Sequence, residues 1–315
     1  MFFNNKSIKN NHFIIAAPRS GTTWLNKMLN VHQDVNCIER RLFGDYADFI
    51  LDEGNSNPRL RVTLDKYVNS MLLHHGLDQS RKQSLTKNLI NGLIKEEKKS
   101  RSKKVTIDKI TPYLNTSNIV LDQINNFFPK AKIIFLLRDG RDVITSGVFH
   151  WFNKIKISED LSDFEKQRRD IFLNNNTNDL RRFFQDKEIV QWANEWKQTL
   201  EIIEKAKLHH NIKIIRYENM LENPSLILKE CFSFLNVRFN QSIIDNSVRA
   251  GSFKIMSKGR ELGEQKVNAH VRKGVTGDWK NYFTKDDAIL FNEIAGNALI
   301  MHGYEKNLNW LDEFK

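Results

Sequence analysis

Four short clusters in this chain carry groups that bind or move charge. The first is Ala17-Pro18-Arg19-Ser20-Gly21-Thr22-Thr23-Trp24. A Gly-containing turn into a helix points backbone N–H groups and the helix N-terminus at one spot, which suits a phosphate. Thr22 and Thr23 add hydroxyls, and Arg19 adds a guanidinium that can fork onto phosphate oxygens. The stretch has one glycine and no lysine ahead of its hydroxyls. It therefore lacks the Gly-x-x-x-x-Gly-Lys-Ser/Thr pattern that ordinary triphosphate hydrolysis uses with magnesium. Its bland alternative is a capped strand-to-helix turn.

The second cluster is Asp108-Lys109-Ile110-Thr111-Pro112-Tyr113. A carboxylate beside an ammonium suits a base next to a charge stabiliser, or simply an exposed ion pair. The third is Arg138-Asp139-Gly140-Arg141-Asp142, with Ser146 further on. Arg138 and Ser146 can converge on a second phosphate, whereas Arg141 and Asp142 read as a local cap or pair. The fourth is Arg272-Lys273-Gly274-Val275-Thr276-Gly277-Asp278-Trp279. Adjacent cations and glycines let charge and backbone approach an anion closely.

The elements that must position these clusters follow from hydrophobic pattern. His12–Ala17 reads as a strand entering the first cluster, and Trp24–Val31 as an amphipathic helix leaving it. Lys104–Asp108 reads as a strand that Pro112 cannot continue. Asp108 and Lys109 are then expected at its C-terminal end, the edge where open parallel sheets bind ligands. Lys132–Leu137 is a continuous apolar strand of the kind buried on both faces, and it ends in Arg138. Ile212–Arg216 is another apolar strand, ending in Tyr217-Glu218. Helical patterns fill 42–93, broken near Gly54–Pro58 and at Gly76, and recur over Asn118–Phe128, Leu161–His210, Pro224–Leu235 and Lys285–His302. Trp192 and Trp196, four apart, are expected to pack, and Cys231 to be a buried, inert thiol. From Ala250 to Lys280 the periodicity fades and cations outnumber acids. The loop Ala250–Thr276 is expected to be mobile until an anion gives its cations a partner.

Composition bounds the rest. With 315 residues, 40% hydrophobic and 28% charged, the chain is globular rather than disordered. A net charge of +11 favours an anionic ligand, polymer or surface. The basic run from Lys95 to Lys104 is expected to be a solvated helix end. Cys37 and Cys231 form no C-x-x-C pair, and two cysteines in so long a chain indicate a reducing compartment. No apolar run approaches the roughly 20 residues that span a bilayer, and the polar, Asn-rich start lacks a signal-peptide pattern. A cytoplasmic protein without stable membrane insertion is expected.

Taken in order, these segments resemble the sulfotransferases that use 3′-phosphoadenosine 5′-phosphosulfate (PAPS). Pro18–Trp24 looks like their 5′-phosphosulfate loop, and Arg138 with Ser146 like their 3′-phosphate motif. Tyr217-Glu218-Asn219-Met220 resembles their tyrosine turn after the next core strand, and Ser252-Phe253-x-x-Met256 their adenine-side segment. Arg272-Lys273-Gly274 looks like the C-terminal loop that closes on the 3′-phosphate.

The resemblance implies an α/β fold over 1–315: one domain, three layers, a parallel sheet flanked by helices as in P-loop NTPases, without their metal. It implies in-line transfer of the sulfuryl group to a hydroxyl or amine of a small-molecule or glycan acceptor, with release of adenosine 3′,5′-bisphosphate (PAP). Donor binding then falls to Arg19, Ser20, Gly21, Thr22, Thr23, Trp24, Arg138, Ser146, Tyr217, Phe253, Arg272, Lys273 and Gly274.

Two departures matter. Cytosolic members carry lysine where this chain has Arg19, which can neutralise charge but is a poor proton donor. Many also place a histidine where this chain has Asp108–Tyr113, a stretch closer to the Glu-Lys-Thr-Pro of glycan sulfotransferases. Asp108 becomes the leading base and Lys109 the group steadying the sulfuryl or leaving oxygen. Glu39, after the first helix, is the competing base, with His12, His32 and His150 below it. A nucleotide kinase and a non-catalytic polyanion binder are the rival functions. Nucleic acid is not expected as a partner, and a homo-oligomer is left open.

Overall fold

The computed structural model describes residues 10–39, 49–50, 61–62, 64–101, 103–112, 117–154, 162–174, 182–266, 269 and 271–314. In chain order the elements are β1 (Asn11–Ile15), α1 (Thr22–Leu29), β2 (Val35–Ile38), β3 (Phe49–Ile50), β4 (Arg61–Val62), α2 (Leu64–His74), α3 (Lys82–Arg101), β5 (Val105–Ile110), α4 (Ser117–Phe127), β6 (Lys132–Leu137) and α5 (Gly140–Lys154). There follow α6 (Asp163–Leu173), α7 (Asp186–Ala206), β7 (Asn211–Arg216), α8 (Tyr217–Glu222), α9 (Pro224–Phe234), α10 (Gln241–Ala250), α11 (Phe253–Met256) and α12 (Lys285–Met301).

The main sheet is five-stranded and parallel, in the order β2-β5-β1-β6-β7. Successive side chains of a strand point to opposite faces, and both faces here are apolar. Phe13, Ile15, Ile110, Phe135 and Leu137 meet Val120, Val143, Trp196 and Phe291 from α4, α5, α7 and α12. Ile14, Ile107, Ile134, Leu136 and Ile215 meet Leu25, Leu228, Phe232 and Ile244 from α1, α9 and α10. That double burial is why β6 reads as an unbroken apolar run, and it gives the three layers expected. Helix starts follow local chemistry. Asn223 accepts the Leu226 N–H at 3.0 Å ahead of Pro224, and Thr284 and Asp287 cap α12 reciprocally.

Three expectations are corrected. β5 runs through Ile110, so Asp108 lies in mid-strand, opposite Phe13 on one side and Ile38 on the other. Pro112 ends the strand two residues later than the pattern suggested, because Lys109 and Ile110 still pair with Ile14 and Ile15. Phe49–Ile50 is a strand paired antiparallel to Arg61–Val62, not part of a helix; Tyr46 and Gly54–Pro58 lie outside the described residues. β2 was not anticipated: four residues, Val-Asn-Cys-Ile, are too short to show a period. No helix among the described residues is long and apolar enough to cross a membrane.

Candidate active site

Parallel strands present all their C-terminal ends on one edge. Along that edge lie Glu39 after β2, Lys109 near the end of β5, the Ala16–Gly21 turn after β1, Arg138 after β6 and Tyr217 after β7.

The β1 turn is tightly curled. Arg19 has φ 70° and Gly21 φ 95°, so two left-handed residues flank Ser20. A non-glycine residue in that region is uncommon and costs on the order of 1 kcal/mol, which marks Arg19 as held there by its surroundings. Gly21 is required for a second reason: a Cβ there would meet the Tyr217 ring at 2.6 Å. Its carbonyl accepts from Trp24 and Leu25, so α1 begins at Thr22 and the first N–H groups have no intrahelical acceptor. The Arg19 Nε donates to Ser146 Oγ at 3.3 Å.

Arg138 is clamped behind this turn. Its Nη1 donates to the Arg19 carbonyl at 3.0 Å and its Nη2 to the Val275 carbonyl at 3.3 Å. Its guanidinium lies 4.3 Å from the Tyr217 ring centroid, and the indole of Trp196 donates to its own carbonyl at 3.0 Å. Trp196 is thus packing, as expected, and also fixes the strand end. Burial pushes the Tyr217 hydroxyl above its usual range.

These groups share one cavity of about 470 Å³. Its wall includes Arg19, Gly21, Thr22, Thr23, Trp24, Arg138, Ser146, Tyr217, Phe253, Arg272, Lys273 and Gly274, twelve of the thirteen residues read as donor-binding. The thirteenth, Ser20, is 1% exposed and does not line it; its N–H donates to the Ala17 carbonyl instead. Trp24 stands edge-on to Tyr217 and donates to the Gly251 carbonyl at 2.7 Å. Gly274, at φ 72°, packs its backbone on the Phe253 ring with no room for a Cβ. Arg19, Arg138, Lys254, Arg272 and Lys273 face the cavity against one acid, Glu261. The Arg138 Nε and the Arg272 Nε and Nη1 are buried without a hydrogen-bond partner. Unmet guanidinium donors on a cationic wall suit a polyanionic nucleotide.

Two of the loop's cations already share a carboxylate. Asp278 takes Arg272 Nη2 on one oxygen and Lys273 Nζ, at 2.7 Å, on the other. Asp278 folds back six residues to meet Arg272, a contact that the balance of cations and acids along the segment does not reveal. Asp142, expected to cap or pair locally, has a carboxylate that accepts the Gly277 N–H at 2.8 Å and the Trp279 N–H at 3.1 Å. Burial pushes that carboxyl up, while Arg138, 3.9 Å away, pulls it down. Arg141 does pair locally with Asp139, at 2.7 Å, but it also reaches Glu305 and lies against the rings of both Trp279 and Trp310.

Asp108 and Lys109 point to opposite faces of the sheet. Asp108 is fully buried on the side of Ile110. Lys109 lies on the side of Ile107, and its Nζ is 3.1 Å from Glu39 Oε2. The ion pair read between sequence neighbours is therefore made with Glu39, whose side chain is 31% exposed. His12 and His32 are buried and engaged: His12 Nδ1 accepts from the Lys132 N–H, and His32 contacts the Arg238 carbonyl at 2.8 Å. His150 is half-buried on α5. Burial pushes the Cys231 thiol up to about 12, consistent with an inert core thiol. The expected acceptor walls, 42–93 and 151–186, fall partly outside the described residues.

A family profile described as "Sulfotransferase domain" matches residues 9–304. Rat (Rattus norvegicus) sulfotransferase 1A1 is 29% identical over 164 residues, 49% of this chain and about half, 51%, of that protein. Mouse (Mus musculus) sulfotransferase 1B1 is 24% identical over 302 residues, 91% of this chain and 83% of that one. The fold is shared with mouse sulfotransferase SULT7A1 complexed with PAP (TM-score 0.53, 19% identity, 97% of this chain and 88% of that chain). It is also shared with retinol dehydratase in complex with androsterone and inactive cofactor PAP (TM-score 0.52, 15% identity, 92% and 81%). With the family match running through all four clusters and the whole sheet, the chain belongs to the sulfotransferases.

Proposed function

We propose that this chain moves a sulfuryl group from PAPS to a hydroxyl or amine of a small-molecule or glycan acceptor, leaving PAP. One observation carries the proposal: residues from separate segments of the sequence, chosen for anion chemistry, line a single cavity.

The donor supplies an activated sulfuryl group, and attack by the acceptor's lone pair breaks the bond to the bridging oxygen, which keeps the electron pair. Arg19 and the first N–H groups of α1 stabilise the charge that gathers there. Arg138, Ser146, Arg272 and Lys273 bind the 3′-phosphate, and Trp24 and Phe253 pack the adenine. Lys109 steadies the sulfuryl oxygens.

The acceptor's proton goes to Glu39. A base must reach its substrate, and Glu39 is exposed on the site's edge while Asp108 is sealed in the core. Neighbouring strands lie about 4.8 Å apart, so the ends of β2 and β1 stand roughly 10 Å apart along the edge, with β5 and its Lys109 between them. The cysteine usage supports a cytoplasmic setting.

The test is an acceptor screen with PAPS in the presence of EDTA, reading PAP release, beside PAP titrations of R138A and R272A. Each variant is expected to bind PAP about 10–100-fold more weakly. Unchanged PAP affinity in both, or transfer that requires ATP and magnesium, overturns the proposal.

A further inference from the structure

Asp278 is 4% exposed and does not line the cavity, whereas Arg272 and Lys273 do. Its two carboxylate oxygens are divided between them: Oδ2 to Arg272 Nη2, and Oδ1 to Lys273 Nζ at 2.7 Å and Asn281 Nδ2 at 2.9 Å. The carboxylate is anchored from the other side as well. The residues before and after it, Gly277 and Trp279, donate their backbone N–H groups to Asp142. Desolvation pushes the Asp278 carboxyl up, but the two cations and their hydrogen bonds outweigh it and leave it below the usual carboxylate range. Arg272 is held a second way, with its guanidinium 4.1 Å from the Phe149 ring centroid. That leaves Nε and Nη1 buried and without a hydrogen bond.

A guanidinium tied to a buried carboxylate in the cavity wall, with hydrogen-bonding capacity left over, is held in place before an anion arrives. Two adjacent long cations otherwise repel each other and sample many rotamers, and each immobilised side chain costs about 0.5–1.5 kcal/mol on binding. A buried carboxylate behind them removes the repulsion and fixes both side chains before the ligand arrives. We propose that Asp278 is the positioning residue for the donor's 3′-phosphate, holding Arg272 and Lys273 from behind so that both side chains are fixed in the cavity wall. This inference rests on the donor assignment made above.

The test compares two nucleotides that differ only in that phosphate: PAP and adenosine 5′-monophosphate (AMP). The ratio of their dissociation constants, AMP over PAP, isolates what the 3′-phosphate contributes. In the wild-type protein this ratio is expected to be well above one; a ratio near one overturns the donor assignment itself. In D278N the ratio is expected to fall about tenfold, with AMP affinity nearly unchanged, and D278E is expected to recover part of it.

A merely structural role would weaken both nucleotides alike and leave the ratio in place, which overturns the inference while sparing the donor assignment. Tighter PAP binding in D278N also overturns it, since Asp278 would then compete with the phosphate. Asn281→Ala loosens the same carboxylate from an exposed position and keeps its charge. Should D278N not fold, a two- to threefold fall in the ratio for that variant supports the inference, and no change refutes it.

Discussion

Glu39 and Asp108 show how much one residue of register decides. Both are carboxylates near Lys109, and in the sequence Asp108 has the stronger claim because it is adjacent. A strand sends neighbours to opposite faces, so adjacency is the arrangement that keeps them apart. With β5 running through Ile110, that period alone separates Asp108 from Lys109. Glu39 could not be joined to Lys109 that way, since 70 residues and a parallel pairing of β2 with β5 bring them together. Glu39→Gln is therefore expected to lower turnover about 10²–10⁴-fold while PAP affinity stays nearly constant. Asp108→Asn is expected to shift the thermal midpoint, with turnover of the folded protein within a few-fold of wild type. Steady-state kinetics beside PAP titration decides it: the reverse pattern returns the base to Asp108.

The elements around the donor cavity were mostly legible, and for a common reason. β1 with α1, β6 with α5, and β7 each announce themselves by an apolar run that stops at a polar or glycine-bearing turn, whereas the six-residue α8 after β7 does not. Such local signals survive without knowledge of the fold. What was not legible is what ties those elements to the C-terminal loop. Asp142 sits in the first turn of α5 and holds the backbone of Gly277 and Trp279, 135 and 137 residues away. Nothing in a helix's first turn distinguishes a carboxylate that caps it from one that reaches across the molecule. This bond makes a further expectation testable. Asp142→Asn leaves one of the two N–H groups without its acceptor, a loss of about 1–3 kcal/mol for a buried donor. Hydrogen exchange is expected to quicken at the Gly277 and Trp279 amides first, ahead of the sheet. If exchange there matches the wild type, Asp142 is not what pins the loop.

At the scale of the whole molecule, the parallel sheet gathers the chemistry on one edge and leaves several titratable groups packed elsewhere. Two of these tie stability to pH. His302 follows α12, where burial pushes its imidazole below the ordinary value and Lys207 and Arg216 add to that against Glu204. His210, ahead of β7, is pushed the same way by burial. An imidazole with a depressed folded pKa binds fewer protons in the folded than in the unfolded state. Its stability contribution is whole above the unfolded pKa, near 6.5, and is lost as pH falls through the folded value. Glu218 and Asp142 run the other way, because burial pushes their carboxyls up and protonation relieves it. The raw curve of wild-type stability against pH therefore mixes both signs in the range from about pH 6.5 to 4. The informative quantity is the difference between wild type and His302→Asn, in which the carboxyl contributions cancel. As pH falls from 7.5 to 5, the variant's thermal midpoint is expected to gain on that of the wild type, since it has no imidazole to protonate on unfolding. Melts at half-unit steps in constant ionic strength would show the two curves converging or crossing. Parallel curves across that interval would mean that His302 titrates alike in both states, and that the acid sensitivity of the fold lies with other groups.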